Sequence, residues 1–172
     1  MDIPMNICNR QISLHPNFLE ALFAHRSQVT TVFKDILGLY EISHFAISHI
    51  DSRQRLLTFS STPSLEFNLF NSDLWRFDKT YHPSWYRLCL TSSWQPLYSS
   101  ERYDELYYLK QIKPHYPIGL SMAVKTTDSY VIYSIASAKD CQQTQELFIN
   151  QQSYFYRIGE YCSNALLPLI LM

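Results

Sequence analysis

The stretch "HYPIGLSMAVKTTDSYVIYSIASA", residues 115–138, constrains the fold more than any other. Two runs alternate apolar with small or polar residues and flank a Lys-Thr-Thr-Asp-Ser turn, which predicts a hairpin of two strands. Its faces carry Ser121, Ala123, Ser134, Ala136 and Ser137, small residues where a closed core would prefer Val, Ile or Leu. A sheet surfaced this way leaves room above it.

The remaining elements follow from periodicity and caps. "HPNFLEALFAHR" places Pro16 at a first helical turn and Phe18, Leu19, Leu22 and Phe23 on one side. A second helix runs from a cap at Ser27 through Val29, Val32, Phe33, Ile36 and Leu37 to a stop at Gly38. "ISHFAISHI" and "RLLTFSST", joined by "DSRQ", form another hairpin. Between residues 63 and 98, Pro63 and Pro83 each fit the start of a short helix, and the aromatics there are too many for a solvated loop. Ser99 or Ser100 caps a helix through "ERYDELYYLKQI" that Pro114 ends. Leu147, Phe148, Tyr154, Phe155, Ile158, Tyr161, Cys162, Ala165, Leu166 and Leu169 lie on one broad stripe of a long closing helix. This order predicts an α/β (α+β) domain, an α-β-α sandwich around an antiparallel sheet, with residues 1–172 as one unit.

Several function classes lose support on composition. The 14 basic and 15 acidic residues are spread evenly, giving a formal charge of -1 without a basic run, so direct contact with nucleic acid is not expected. Three glycines and no glycine-rich phosphate motif argue against a nucleotide loop. The cysteines at 8, 89, 141 and 162 are scattered, no signal segment opens the chain, and "ALLPLILM" is too short to span a bilayer. A reduced, cytoplasmic setting without membrane contact is the expectation. The six histidines show no zinc spacing, and His44 and His49 fall on opposite faces of one strand. No nucleophile elbow is present, so neither a metal, a cofactor nor catalysis is expected.

What remains is an aromatic-rich segment over a sheet of small residues, the composition of a mostly apolar pocket with a few polar anchors. Phe67, Phe70, Trp75, Phe77, Trp85, Tyr86 and Trp94 would equally fill a plain core, which is the simpler reading of composition alone.

The run "ELYYLKQIKPHYPIGLSMAV", continued by "YVIYSIASA" and the closing helix, resembles the second half of the autoinducer-binding domain of LuxR-type quorum-sensing regulators, the acyl-homoserine-lactone receptors. In that family an aromatic-rich helix leads into a Gly-Leu-Thr/Ser strand, where this chain has Gly119, Leu120 and Ser121. "ISHFAISHID" is similar to the family's first strand, and "TPSLEFNLFNSDLWRFD" to its segment of proline, aromatics and aspartate. The likeness runs from about residue 16 onward and implies a GAF/PAS-like fold.

Carried over by position, the resemblance implies that Asp78 accepts a hydrogen bond from a ligand amide, with Asp73 next in register. It makes Trp75 a pocket wall and sets Trp94, or Tyr98, against a lactone ring. Ser134, Ala46 and Ser48 fall at pocket-facing strand positions, and Thr62, Phe67, Phe70 and Gly119 complete the candidate set. Three departures stand out: Thr62 replaces an aromatic before the proline, Glu66 stands where a lactone-holding tryptophan is expected unless Phe67 is shifted in, and Asp-Pro becomes Asp78-Lys79. They remove contacts to a lactone head, so a different acylated or apolar signal fits as well.

Family members continue into a DNA-reading helix-turn-helix; none is expected within residues 1–172, which fits either the sensing half of a longer regulator or a stand-alone protein that pairs with one. The expectation is a non-enzymatic, small-molecule-sensing domain that forms a homodimer, or a heterodimer with a related regulator, through the surplus apolar width of the closing helix. The alternative is a stand-alone ligandless interaction module, or a truncated regulator, that pairs with full-length partners.

Overall fold

Side-chain alternation along six strands sorts the core into two layers of different character. The computed structural model describes residues 11–171; Cys8 and Met172 lie outside them. The strands are β1 (Ser13–Leu14), β2 (His44–Ile50), β3 (Arg55–Ser60), β4 (Thr91–Ser93), β5 (Ile118–Lys125) and β6 (Tyr130–Ser137), in the sheet order β1-β3-β2-β6-β5-β4. Both expected hairpins are present, β2–β3 and β5–β6, and β2 pairs antiparallel with β6. The two-residue β1 runs parallel to β3, an addition that so short a segment gives no periodicity to announce.

One face of the sheet is conventionally apolar. Phe45 and Ile47 of β2, Leu57 and Phe59 of β3, Leu120 and Met122 of β5, and Val131, Tyr133 and Ile135 of β6 form a core with the helices α2 (Arg26–Lys34), α6 (Gln142–Asn150) and α7 (Gln152–Leu166). The opposite face is covered by α1 (Phe18–Phe23), α3 (Pro63–Asn71), α4 (Pro83–Tyr86) and α5 (Tyr103–Tyr107), together with several short 3-10 turns. This is the expected sandwich, including the short helices of the middle segment. As their odd separation requires, His44 joins Trp94 and Tyr116 on the second face, while the other histidine of β2, His49, bonds Ser129.

Two helix assignments are corrected. The closing helix is broken: Gln151 leaves the helical region (φ -110, ψ 29) between α6 and α7, and Leu167–Leu169 is a 3-10 turn around Pro168, whose missing N–H cannot continue α7. Part of its apolar surplus is also covered from within. Tyr154 stacks on Tyr40 at 4.9 Å, and the Tyr161 hydroxyl donates to Asp35 at 3.0 Å. The second helix is preceded by His25 in place of the expected Ser27 cap and ends at Lys34, with Gly38 (φ 99) turning the chain. Ser99 does act as a cap, accepting from Glu101 N–H.

Candidate functional site

The second face of the sheet has a floor of small residues. Register sets Ala46 beside Ser60 and Ser134, Ser134 beside Ser121, and Gly119 beside Ala136. Ser48 and Thr58 continue the patch and bond each other at 2.9 Å. All of these are buried, so the space above them is taken by side chains from the covering layer.

Trp94 is the largest of these. β4 pairs with β5 and delivers it, and its backbone N–H donates to Gly119 O at 3.0 Å. Its ring then lies over Gly119, where a Cβ would stand 2.1 Å from indole carbons. Glycine is therefore required here by close approach, since its φ is ordinary. Gly119 of the Gly-Leu-Ser junction and Trp94 are thus in contact.

Asp78 is fully buried between two 3-10 turns, Asp73–Phe77 and Lys79–Tyr81. Its Oδ1 accepts from Thr80 N–H at 3.0 Å, and its Oδ2 lies 2.8 Å from Lys110 Nζ. The Lys110 side chain is 2% exposed, and its ammonium also sits 4.3 Å from the Trp94 ring centre and 5.5 Å from that of Tyr98. Lys110 reaches this position from a π-helical turn, Tyr108–Ile112, that prolongs α5. Single widened turns of this kind recur at functional sites in other helices.

A second polar group lies beside the first. Glu66, on the inner side of α3, is 2% exposed, and its Oε2 is 3.4 Å from His44 Nε2. His44 Nδ1 meets Thr62 Oγ1 at 2.9 Å, and Thr62 Oγ1 meets the Tyr116 hydroxyl at 2.8 Å. Thr62 precedes α3, yet its side chain serves this chain of bonds and caps no helical N–H. Tyr98 donates to Gln111 Oε1 at 2.8 Å, and Gln111 Nε2 holds the carbonyls of Tyr116 and Pro117. Thr80 Oγ1 and Ser121 Oγ, 3.1 Å apart, tie the layer to its floor. Burial raises the pKa of Tyr81 well above its usual value, and the nearby carboxylates of Asp78 and Glu66 raise it further. Burial and Asp78 act on Tyr98 in the same direction. Both phenols thus stay neutral donors.

Of the residues singled out from sequence, Asp78, Trp94, Tyr98, Thr62, Gly119, Ala46, Ser48 and Ser134 come together here. Trp75 and Phe70 stack at 5.9 Å and meet the layer through Tyr81, whose ring is 4.9 Å from Phe70. Phe67 packs edge-on against Phe23 of α1, at the margin of the same apolar cluster. Sequence reasoning missed Lys110, Thr80, Tyr81, Gln111 and Tyr116 as site residues, and took Glu66 and His44 only as a departure and as a failed metal ligand. Among the described residues, no three His, Cys, Asp or Glu side chains are grouped to hold a metal ion, and no helix is long and apolar enough to cross a membrane.

No protein-family model matches the chain, and no curated protein matches it. Solved structures do. The Escherichia coli SdiA crystal structure in space group P6522 superposes with a TM-score of 0.53 at 12% identity, covering 84% of this chain and 64% of that one. SdiA in complex with octanoyl-rac-glycerol gives 0.51 at 9% identity, covering 90% and 61%. The VqsR LBD domain from Pseudomonas aeruginosa gives 0.49 at 16% identity, covering 87% and 93%. The chain thus spans less than two thirds of the SdiA chains. What it has in common with them is the mixed α/β fold of GAF/PAS-like autoinducer-binding domains, a central, mainly antiparallel sheet flanked by helices.

Proposed function

We propose that this chain is a non-enzymatic, small-molecule signal-sensing domain of the LuxR type. It binds an acyl-homoserine lactone or a similar amphipathic signal between the small-residue floor and the short helices. One observation carries the reading: two charged or titratable pairs, Asp78–Lys110 and Glu66–His44, are buried in one layer over glycine, alanine and serine. A layer that served only as core would avoid the desolvation cost of these groups. Octanoyl-rac-glycerol, an amphiphile of the proposed kind, is bound by SdiA, which supports the same direction. On entry the signal competes with Lys110 for Asp78 and moves Trp94 on Gly119, so that occupancy is felt by α5 and β4 together.

A ligand of the folded state alone stabilises it by about 2.7 kcal/mol at a hundredfold excess over Kd. Acyl-homoserine lactones and monoacylglycerols of graded chain length are therefore expected to include at least one that raises the melting temperature. Organic extraction of the purified protein followed by mass spectrometry tests the same point without a choice of compound.

The second reading, a ligandless interaction module, is favoured by one specific feature. The Asp78 carboxylate already has a cation and a backbone N–H. Absence of any shift and of any extracted molecule would select it.

Transmission runs through a homodimer contact on the outer side of α7. Tyr154 is 42% exposed there and Tyr161 is also exposed, although each has a partner within the chain. The unmodified protein is expected to sediment as a dimer at micromolar concentration, and Tyr154→Asp to shift it toward monomer because the interface would bury a charge. A monomer before substitution would remove this route.

A further inference from the structure

Glu66 Oε1, an acceptor, and Trp94 Nε1, a donor, are among the buried polar atoms that lack hydrogen-bond partners within the described residues, with Ser134 Oγ of the floor another. Both groups border the His44 imidazole, Glu66 through its other oxygen at 3.4 Å and Trp94 edge-on at 6.4 Å between ring centres. His44 Nε2 also has no aligned bond. Polar atoms this deep are normally paired, so an unpaired acceptor and an unpaired donor that both border His44 describe the group that would complete them. A homoserine lactone does so poorly. Its ring offers only acceptors, which would set oxygen against the Glu66 carboxyl oxygen, and its amide N–H is directed to Asp78, where Lys110 and Thr80 already donate. A hydroxyl carries both functions: its proton suits an acceptor such as Glu66 Oε1, and its oxygen suits a donor such as Trp94 Nε1. Trp94 also lines an open groove of about 390 Å³ with Thr91, Gln95, Gly119 and Phe148.

We infer that the head-group end of this site takes a hydroxyl-bearing amphiphile, a fatty alcohol or a monoacyl polyol, in preference to a lactone; this rests on the ligand-sensing reading above. The test uses the unmodified protein and four probes with one chain length: octanol, monooctanoylglycerol, methyl octanoate and N-octanoyl homoserine lactone. Calorimetry is expected to show the two hydroxyl compounds binding at least about tenfold more tightly than the ester and the lactone, because a site built around a hydroxyl rejects analogues without one. Glu66→Gln, which turns one acceptor into an N–H donor of the same shape, should narrow that gap toward the lactone. Equal or tighter binding of the lactone or the ester by the unmodified protein overturns the hydroxyl assignment and leaves the sensing reading standing. An unchanged preference in Glu66→Gln overturns it too. Binding of none of the four, with no shift from any lactone or monoacylglycerol, removes the sensing reading and this inference with it. If the variant does not fold, the probe series on the unmodified protein decides alone.

Discussion

Lys110→Met is expected to destabilise the domain by about 3–5 kcal/mol, the cost of leaving one member of a buried ion pair alone. Asp78 and Lys110 are both almost wholly removed from water and 2.8 Å apart, and the ammonium also rests on two aromatic faces. Methionine keeps the length and apolar stem of lysine but supplies no donor, so Asp78 would keep only the Thr80 N–H. Its charge would then be uncompensated inside the layer. For a domain whose whole stability is on the order of 5–15 kcal/mol, such a loss should bring urea unfolding to a far lower midpoint. The double variant Lys110→Met with Asp78→Asn tests the cause. Removing both charges is often neutral, so most of the loss should return, and the coupling energy from the cycle isolates the pair. A loss below about 1 kcal/mol for Lys110→Met, the range of exposed pairs, would mean that water reaches the ammonium in solution.

The architecture was legible because period and punctuation agreed at most elements. Both hairpins follow from alternation around "DSRQ" and "KTTDS", and Pro63 and Pro83 each open a short helix. The break at Gln151 was not legible, since α6 and α7 carry one continuous apolar stripe and glutamine is a good helix former. The adjacent left-handed residues Tyr40 and Glu41, like Gln54, Cys89 and His115, have no signature in side chains that rarely adopt such angles.

The site was half legible. Small residues on alternating strand positions announced the floor, but its depth depends on what sits above. Lys110 was overlooked because a lysine between tyrosines looks like a solvated helix position. The available signal was its spacing, seven residues from Tyr103 and four from Leu106, which places the charge on the apolar stripe of the segment. Glu66 carries the same signal, three and four residues before Leu69 and Phe70. A charge on an apolar stripe demands a buried partner, and single-sequence reading cannot say which. Asp78 stood out only through the resemblance, and its pairing with a lysine thirty-two positions away is a tertiary contact that no local pattern encodes.

Gly119→Ala is the change that reads the layer most directly. In the interior of β5 alanine has the better backbone propensity, so with open space above it the substitution would be neutral or stabilising by about 0.4–1 kcal/mol. Here the new methyl would stand 2.1 Å from Trp94 Cδ2 and Cε3 and 2.7 Å from Cε2. The indole cannot yield by a small rotation, because Lys110 lies over its face at 4.3 Å and its own backbone N–H is bonded to Gly119 O. Overpacking of this kind costs about 1–3 kcal/mol and occasionally more, and the ring should leave the floor. The expected result is a lower melting temperature together with a red shift of tryptophan emission as Trp94 gains water. Trp94→Ala serves as the background that fixes the interpretation. Alone it should cost about 3–5 kcal/mol for loss of a buried ring, but once it is made, adding Gly119→Ala should cost nothing further. If Gly119→Ala costs as much in that background as in the unmodified protein, the glycine serves the strand, and the contact between floor and indole does not govern the site.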